Sequence, residues 1–545
     1  MFTRREILKS FLGLPLAMAA CRSVRDLEGI EGEIVGANNN IGHQLRDRRD
    51  WVVPETISET LDAAIIGGGV AGLTAGRHLA KNGVSNYRIF ELEPRLGGTS
   101  ASGETTLKTN GNPKVGYPWG AHYLPVPFKE NEDLVALLDE MSVIESRDAE
   151  GNPVVLEELL VRDPEERVFY KGRWYEGLYL HAGETTEDVA QLKRFEALLA
   201  DWIGKKDSKG RRAFSVPVEN ASDDAEFTAL DKISFSDWLR SNGFTSERLL
   251  KYCDYACRDD YGLLPEQTSA WAGLFYFCSR VPVAGEESEP FIAFPEGNGR
   301  FVKHLASASR DKAALNQVVI QAIPNDDGVD LVCLDIKTMG LKRIRAKQAV
   351  FSAPVFLAPY IIRGFRENAP FNANAFEHNA WFVANLFLKD RPKNRFPKDF
   401  PLSWDNVLYE SKSLGYVAAT HQLGIDYGPT VLTYYYPMAE KNLRMGLTKL
   451  LALDWKELAD IVVSDLETAH IDIRSQISRI DIMRWGHAMI SPRTGFMWGG
   501  DREKATAPFR NIHFAHSDLS GIALFENAFF HGNRAAKALL ERLRG

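Results

Sequence analysis

The amino-acid sequence predicts an α/β fold in which a parallel sheet covered by helices is combined with an α+β domain. Two observations carry this prediction. An apolar run at 61–66 passes directly into the glycine-rich turn 67–72, and a helical segment and a second apolar run at 87–91 follow. Much later in the chain, aromatic and β-branched runs such as 431–436 are typical of antiparallel strands.

The composition is that of an ordinary globular protein and excludes several classes of function. Of 545 residues, 45% are hydrophobic and 25% are charged, so the chain is neither disordered nor fibrous. Its 65 basic and 73 acidic side chains give a net charge of −8, which argues against nucleic-acid binding. Five irregularly spaced cysteines predict neither a disulfide framework nor a metal site.

The first twenty residues have the pattern of an export signal. Arg4 and Arg5 precede an apolar stretch, 11–20, that is too short to cross a bilayer. The paired arginines resemble a twin-arginine signal, which implies that the twin-arginine export machinery is a partner and that the protein is exported after folding. Cys21 follows a segment that resembles a lipobox, and lipidation there would make the protein a membrane-tethered periplasmic lipoprotein. Ordinary cleavage before Cys21 is the alternative.

Residues 21–60 are polar and show no sustained apolar period. They carry a run of three asparagines at 38–40 and the charged cluster 46–50. We therefore predict a polar tether, or a wrap over the surface, between the signal peptide and the first domain.

The unit that follows has the pattern of a dinucleotide-binding motif. Gly67 permits a tight turn, Gly69 lets a pyrophosphate approach the backbone, and Gly72 lets the next helix pack close to the strand. The helix, predicted over 70–82, presents free amides and the positive end of its dipole to the phosphates. The predicted phosphate contacts are Gly67, Gly69, Val70, Ala71 and Gly72.

An acidic residue ends the second strand of this unit. Glu91 lies nineteen residues beyond Gly72, where a carboxylate can accept hydrogen bonds from the adenosine ribose hydroxyls. An acid at this position disfavours a 2′-phosphate. Strand, glycine turn, helix, strand and terminal acid together predict dinucleotide binding far more strongly than the glycines alone.

The segment Glu91–Gly98 resembles the ExxxRxGG extension of the flavin-containing amine oxidase, phytoene desaturase and protoporphyrinogen oxidase superfamily. The resemblance implies FAD as the cofactor, with Arg95, Gly97 and Gly98 beside the pyrophosphate and ribitol. Thr99 stands where many members carry a basic residue, and we include it among the cofactor contacts.

Further segments resemble the same superfamily in the same order. The segment 119–122 is similar to the small-residue passage beside the flavin ring, which implies that Gly120, Ala121 and His122 contact the cofactor. The segment 294–300 resembles the return to the FAD domain, and Val319 in the strand after it would meet the adenine edge.

Near the C-terminus, 511–518 resembles a strand and turn in which an acid reaches the ribitol, which implies this role for Asp518. His516 stands there in place of a usual glycine. The helix after it resembles the one whose N-terminus faces the flavin, which implies cofactor contacts from Glu526, Asn527 and Ala528, although Asn527 also replaces a glycine.

The resemblance implies a Rossmann-like FAD-binding domain interleaved with an α+β substrate domain, as in the amine oxidase fold. The FAD-binding segments are expected at 60–125, 292–358 and 478–545, and the substrate-domain segments at 126–291 and 359–477.

Four residues are candidates for a catalytic role. His122 and His516 can shuttle protons near the flavin, and Trp485 resembles one wall of the family's aromatic cage, with Leu524 or Phe525 opposite. Asn385 occupies the position at which many amine oxidases place a lysine near the flavin, and this departure weakens the case for an oxygen-using amine oxidase. His487 and His531 are further candidates.

Three functions remain open at this point. The first is an exported FAD-dependent oxidoreductase that transfers a hydride from a substrate C–H, expected to be that of an amine, to the flavin, with oxygen or a quinone as electron acceptor. The second is a desaturase or oxidase of an apolar isoprenoid-like or polycyclic molecule, which a pocket without acidic lining would favour. The third is a non-catalytic flavoprotein.

Overall fold

A computed structural model describes residues 27–47, 51–108, 113–283 and 290–544 of this chain. The predicted signal peptide 1–20 and Cys21 lie outside the described residues. Within those ranges no helix combines the length and the apolar character needed to cross a membrane. Two large sheets organise the described chain, and each has its own hydrophobic core clusters.

The first sheet, the dinucleotide sheet, has seven strands and contains the predicted motif. Its spatial order is Ala313–Leu315, Tyr87–Glu91, Ile57–Ile66, Leu341–Phe351, Gly328–Asp335 and Gln317–Asn325, with Ile512–Phe514 also paired to Leu341–Phe351. The strands of the predicted motif pair in parallel, and Gly328–Asp335 and Gln317–Asn325 are antiparallel. The predicted Rossmann-like domain is confirmed.

Helices cover this sheet because its strands are apolar on both faces. Val70–Lys81 begins and ends within one residue of the predicted helix. The C-terminal helix Phe525–Arg544 packs closely on it, since a Cβ at Gly532 would lie 2.5 Å from the carbonyl oxygen of Ala71. Gly299–Ser307 also packs against Val70–Lys81.

The second sheet, the roof sheet, has eight strands. Its order is Glu31–Gly36, Ile477–Ile490, His378–Leu388, Thr430–Pro437, Gly415–Ala418, Asp405–Leu408, Glu166–Tyr170 and Arg173–Glu176. The aromatic strand predicted at 431–436 lies within Thr430–Pro437 and pairs in antiparallel fashion on both sides, as expected.

One predicted domain boundary is corrected by this sheet. Ile477–Ile490 pairs along its length with His378–Leu388, so it belongs to the roof sheet and not to the dinucleotide domain. The last dinucleotide segment therefore starts after this strand, and not at 478.

The longer helices outside the dinucleotide motif bury their apolar faces in core clusters shared with the strands of the two sheets. They are Glu132–Glu140, Thr186–Gly204, Phe235–Ser241, Glu247–Tyr261, Ala270–Cys278, Leu443–Ala452 and Trp455–Leu466. Shorter helices are Ala225–Thr228, Ala358–Ile361, Phe365–Asn368, Ile473–Gln476 and Asp501–Ala505. Three two-stranded pairs complete the fold: Tyr123–Pro125 with Phe291–Ala293, Ser102–Thr106 with Lys114–Pro118, and Ile144–Arg147 with Pro153–Val155.

The predicted polar tether is corrected over part of its length. Glu31–Gly36 is an edge strand of the roof sheet, paired in parallel with Ile477–Ile490. The helix Asn39–Asp47 follows and buries Leu45. Strand pairing of this kind uses backbone groups and needs no apolar pattern, which is why the sequence did not predict it. We call residues 27–47 the N-terminal strap.

Candidate functional site

An elongated cavity of about 310 Å³, the dinucleotide cavity, lies at the carboxyl ends of the parallel strands. It begins at Ile66 and Glu91, the last residues of two neighbouring strands, and extends to Trp485 on the roof sheet. Ligands of open α/β sheets bind at such strand ends.

The glycine turn that borders this cavity requires glycine at two positions. Gly67 has a φ of +108°, a conformation that side chains disfavour. A Cβ at Gly72 would lie 2.0 Å from the carbonyl oxygen of Gly67, so only glycine lets the helix approach the turn so closely.

The N-terminus of Val70–Lys81 is open toward the cavity. Gly69 precedes the helix, and no side chain caps it. Val70 and Ala71 line the cavity, so the unpaired amides and the helix dipole are available to an anionic group. The turn and the helix end fit a pyrophosphate.

Glu91 lies in the cavity wall and is held by the turn that it faces. Its Oε2 accepts a hydrogen bond from the Gly68 amide at 2.7 Å, and its Oε1 accepts one from the Glu93 amide at 2.8 Å. Burial raises the pKa of Glu91 to about 7, although these amides oppose the rise. A carboxyl oxygen can accept a second hydrogen bond, so the predicted ribose contact remains compatible with this geometry.

Most of the predicted cofactor contacts line the dinucleotide cavity. They are Gly67, Gly69, Val70, Ala71, Glu91, Gly97, Gly98, Thr99, Ala121, Val319, Asp518 and Ala528. His487 and His516 line it as well.

The remaining predicted contacts lie elsewhere. Gly72 packs behind the turn, and Arg95 lies against the Trp119 ring at 5.9 Å from its centroid. Gly120, His122 and Glu526 line a second cavity instead.

Asn527 is a correction. It is fully buried, its Nδ2 donates to the carbonyl oxygen of Ile522 at 2.9 Å, and its Oδ1 accepts from the Val218 amide at 3.2 Å. With donor and acceptor both engaged, this side chain ties the start of the C-terminal helix to the second domain and lines neither cavity.

The second cavity, of about 150 Å³, opens onto one end of the dinucleotide cavity. The two share the wall residues Thr99, Ala121, Trp485, Ala488, Ala523, Leu524 and Phe525. Trp485 is fixed at this junction because its Nε1 donates to the carbonyl oxygen of Trp119 at 2.6 Å. The structure thus brings Trp485 together with both residues predicted for the opposite wall, Leu524 and Phe525.

His122 faces the second cavity among aromatic rings. Its ring centroid lies 5.0 Å from those of Tyr123 and Tyr435 and 5.2 Å from that of Trp404. Burial lowers the pKa of His122 to about 4, so the imidazole is neutral near pH 7 and has a lone pair available.

Three acidic side chains on the wall of the second cavity, those of Asp259, Asp260 and Asp405, are the candidate site residues that sequence reasoning missed. Asp259, Asp260, Asp405 and Glu526 all line it. Arg280 is the basic group on this wall, and its Nη2 lies 3.3 Å from Asp260. The sequence offered one signal, the adjacent Asp259 and Asp260 in the last turn of Glu247–Tyr261. Two neighbouring acids at a helix end usually face solvent, so this signal did not indicate a site.

Two of these carboxyl groups have no basic partner among the described residues. Asp405 accepts hydrogen bonds from the Asn406 amide at 2.8 Å and the Tyr255 hydroxyl at 3.3 Å. Asp259 accepts one from the Tyr276 hydroxyl at 3.5 Å. Burial raises the pKa of both groups. The charge of Asp260 adds to the rise at Asp259, which Arg280 opposes, and the charges of Glu166 and Asp259 add to the rise at Asp405.

Glu166 adds a further acid behind this wall. Burial, and then the neighbouring Glu165, raises its pKa to about 7. It acts electrostatically on both Asp259 and Asp405. The cavity wall therefore has an excess of carboxyl groups whose ionisation a bound cation would stabilise.

Asn385 is a second correction, because it lines neither cavity. It is fully buried, its Nδ2 donates to the carbonyl oxygen of Pro118 at 2.9 Å, and its Oδ1 accepts from the Thr433 hydroxyl at 2.7 Å. Asn385 therefore holds the strand before Trp119 against the roof sheet, which is a structural role.

His531 is likewise structural. Its Nε2 lies 3.0 Å from the Ser520 hydroxyl and 3.1 Å from Glu219, and its Nδ1 accepts from Arg534 at 3.1 Å. Both ring nitrogens are engaged and the side chain is fully buried.

Comparisons with known proteins agree with this architecture. A family model described as an NAD(P)-binding Rossmann-like domain matches residues 65–141. Baeyer-Villiger monooxygenase 4 of Dietzia sp. (strain D5) is 48% identical over 48 residues, which is 9% of this chain and 8% of that protein. Oxidoreductase PigB of Serratia sp. (strain ATCC 39006) is 25% identical over 293 residues, 50% of this chain and 41% of that protein. The chain thus spans less than half the length of either relative.

Two solved structures resemble a much larger part of the chain. Putrescine oxidase bound to putrescine superimposes with a TM-score of 0.62 and 16% identity, covering 89% of this chain and 99% of that one. Cyclohexylamine oxidase from Brevibacterium oxydans IH-35A gives a TM-score of 0.60 and 16% identity, covering 89% and 100%. The chain therefore has a Rossmann-like dinucleotide-binding domain joined to a roof-sheet domain, in the fold that these two oxidases share.

Proposed function

We propose that this chain is an FAD-dependent oxidoreductase of the flavin-containing amine oxidase superfamily and that it oxidises an amine. The observation that carries the proposal is the second cavity, whose wall is acidic and aromatic and which opens onto the end of the dinucleotide cavity at Trp485. A substrate held there would present a C–H bond at the junction of the two cavities.

The wall chemistry suits a substrate that carries a positive charge. Asp259 and Asp405 form no ion pair with a described residue, and a substrate ammonium group would favour their ionised forms. Trp381, Tyr435 and Trp485 add ring faces, which attract cations. A purely apolar substrate would gain nothing from these polar groups, which favours an amine over the desaturase alternative.

FAD, when bound, supplies the hydride acceptor. The chain itself orients the substrate and excludes water: Trp485 is fixed by its hydrogen bond to Trp119, and Leu524 and Phe525 close the opposite side. Neutral His122 can accept a hydrogen bond from the substrate nitrogen at a ring lone pair.

The names of the compared proteins support an oxidase or oxidoreductase activity. PigB is called an oxidoreductase, and both solved structures are named as oxidases, one of them bound to putrescine. An acidic cavity that meets the dinucleotide cavity also favours catalysis over a purely structural flavoprotein. We propose oxygen or a quinone as the electron acceptor.

We also infer that the protein is exported and tethered to a membrane through Cys21. The support is the sequence pattern alone: paired arginines, a short apolar stretch and a cysteine after small residues. Replacing Arg4 and Arg5 with lysine should retain the protein in the cytoplasm, and C21A should release it from the membrane fraction. Unchanged fractionation of both variants would contradict the inference.

The test of function begins with protein purified without added cofactor. We expect a yellow protein with the absorption bands of a flavin, which bleach anaerobically with amines. The panel should include diamines, monoamines and amino acids, followed by oxygen or a soluble quinone to restore the colour. Flavin that no amine bleaches would move the assignment to an apolar substrate, and a colourless protein that cannot be reconstituted would overturn the FAD assignment.

A further inference from the structure

A third cavity, of about 390 Å³, lies outside the site described above and shares no described wall residue with either of its cavities. One of its walls is the helix Glu247–Tyr261. The others come from the segments 411–412 and 436–440 and from the helices Leu443–Ala452 and Trp455–Leu466 with the residue between them. The proposed function makes no use of this cavity.

The helix Glu247–Tyr261 presents a different chemistry to the third cavity than to the second. Lys251, Asp254 and Arg258 are spaced at i, i+3 and i+7, so they lie on one helix face, and all three line the third cavity. Asp259 and Asp260 line the second cavity from another face. The same helix thus offers acids to the second cavity and a mainly basic face to the third.

The wall of the third cavity carries a surplus of positive charge, although the whole chain has a net charge of −8. Four basic and two acidic side chains line it, namely Lys251, Arg258, Lys412, Lys449, Asp254 and Glu440. Both acids are used in ion pairs, Asp254 with Arg258 at 2.9 Å and Glu440 with Lys449. Lys251 and Lys412 remain, and neither ammonium group has a partner among the described residues.

Partial burial makes the unpaired charge of Lys251 costly. Desolvation, followed by the charge of Arg258, lowers the pKa of Lys251. Asp254 and Glu410 oppose this change only in part. The Arg258 side chain is 7% exposed, and its Nη1 donates to the carbonyl oxygen of Lys412 at 2.9 Å, which holds Lys412 against the helix. An anion bound between these groups would favour their charged forms.

The rest of the wall suits a small apolar body with one polar contact. Its apolar side chains include those of Leu264, Met438, Leu453 and Ile461. The Tyr436 hydroxyl has no partner among the described residues. Burial raises the pKa of Tyr436, so this hydroxyl stays protonated near neutral pH and can donate to an anion.

We propose that the third cavity is a binding site for a small organic anion, in which a carboxylate or phosphate group on an apolar body contacts Lys251, Arg258 and Lys412. Oxygen atoms of these groups accept hydrogen bonds from ammonium and guanidinium groups. A cavity that combines a few polar groups with an apolar lining is typical of sites for small organic molecules. The inference does not depend on the proposed function, because the wall residues are different.

The test is isothermal titration calorimetry of the purified full-length protein with two organic anions, octanoate and phenyl phosphate. Their relative affinities identify the preferred head group. Octanamide is the uncharged match of octanoate, and inorganic phosphate lacks the apolar body. We expect at least one organic anion to bind, and octanamide and inorganic phosphate to bind more weakly by roughly tenfold or more, since each supplies only half of the contacts.

Three variants place the bound anion in the third cavity. K251Q should weaken binding of the better probe by roughly tenfold, and K412Q by about threefold because Lys412 is exposed. A439F keeps every charge but fills part of the cavity, so it should weaken binding as well. The matched control is K456Q, which removes an exposed lysine of Trp455–Leu466 that does not line the cavity.

The absence of binding by both organic anions would overturn the inference. Octanamide that binds as tightly as octanoate, or inorganic phosphate that binds as tightly as phenyl phosphate, would contradict the ligand class. Wild-type affinity in K251Q or in A439F would contradict the location. None of these results bears on flavin binding or amine oxidation, so the proposed function is tested separately.

Discussion

At the scale of single residues, the proposed choice of an amine substrate depends on the buried carboxyl groups of the second cavity. Arg280 pairs with Asp260, but no described basic group pairs with Asp259 or Asp405. Both carboxyl groups have raised pKa values because they are buried and have other acidic side chains nearby. A cation is the ligand that such a wall accommodates at least cost.

We expect D259N to weaken binding of an amine substrate. Loss of the charged partner should raise KM by roughly tenfold to a hundredfold. It should change kcat little, because the ion pair is made equally in the bound substrate and in the transition state. Steady-state kinetics with the best amine of the panel measures both constants. D201N, on the exposed face of Thr186–Gly204, is the matched control.

The raised pKa of Asp259 predicts a pH dependence of KM with a definite sign. Because the pKa of Asp259 is raised, its carboxyl group is neutral at pH values where an ordinary aspartate is already ionised. In the wild-type protein KM should fall as pH rises from about 5 to about 8, while the amine stays protonated. D259N should show a flatter profile, and equal profiles would contradict a role for this acid in cation binding.

Gly72 is the residue whose replacement should damage the cofactor site most directly. An alanine Cβ would lie 2.0 Å from the Gly67 carbonyl oxygen, so the helix would have to move away from the turn. We expect G72A to lose about 1–3 kcal/mol of stability, as in overpacked cores, and to bind FAD more weakly. Fluorescence titration and thermal unfolding measure the two effects. G204A, where an added Cβ meets nothing within 4 Å, should behave as wild type.

At the scale of elements, the N-terminal strap connects the two sheets across the dinucleotide cavity. Its strand Glu31–Gly36 pairs with the roof strand that carries Trp485. At its next turn, the Asn38 amide donates to Glu93 Oε1 at 2.7 Å, and Leu45 forms part of the cavity wall. The strap thus lies beside the cavity both near Glu93 and near His487 on the roof strand.

We expect the strap to slow the release of FAD. A chain that starts at Trp51 should lose bound flavin about tenfold faster than one that starts at Leu27, because the cavity loses Leu45 and the contact with Glu93. Recovery of flavin fluorescence after dilution measures the rate. Equal rates in the two truncated chains would show that the strap does not retain the cofactor.

At the scale of the whole molecule, the dinucleotide cavity is built from both sheets, with the glycine turn on one side and Trp485 on the other. A ligand that binds there stabilises the folded chain by an amount that grows with the logarithm of its concentration relative to Kd, about 2.7 kcal/mol at 100 times Kd. The cofactor should therefore act as a structural bridge between the domains as well as a reactant.

Thermal unfolding of cofactor-free protein at increasing FAD concentrations tests this bridge. The melting temperature should rise with FAD and rise much less with FMN, because FMN lacks the adenosine half that Glu91 and Val319 would contact. Equal shifts with FAD and FMN would contradict the placement of the adenosine end at these residues.

The amino-acid sequence by itself determined the dinucleotide domain and its glycine turn. The strand at 87–91 and the helix from Val70 are formed as predicted because their signals are local: an apolar run, a glycine turn and a terminal acid within one short unit. The order of the later segments, through their resemblance to the superfamily, predicted the interleaved domains. The aromatic roof strand was predicted because its residues have strong β propensity.

Only the tertiary structure decided which polar side chains form the site. Asp259 lies in the last turn of a helix and Asp405 begins a strand far along the chain, and both reach the wall of the second cavity only in the folded chain. Asn385 and Asn527 have the sequence position of site residues, yet buried backbone groups engage both. The strap is held by backbone hydrogen bonds to the roof strand Ile477–Ile490, and no pattern of side chains predicts that pairing. Local signals specify elements, whereas a binding site depends on long-range contacts that only the folded chain brings together.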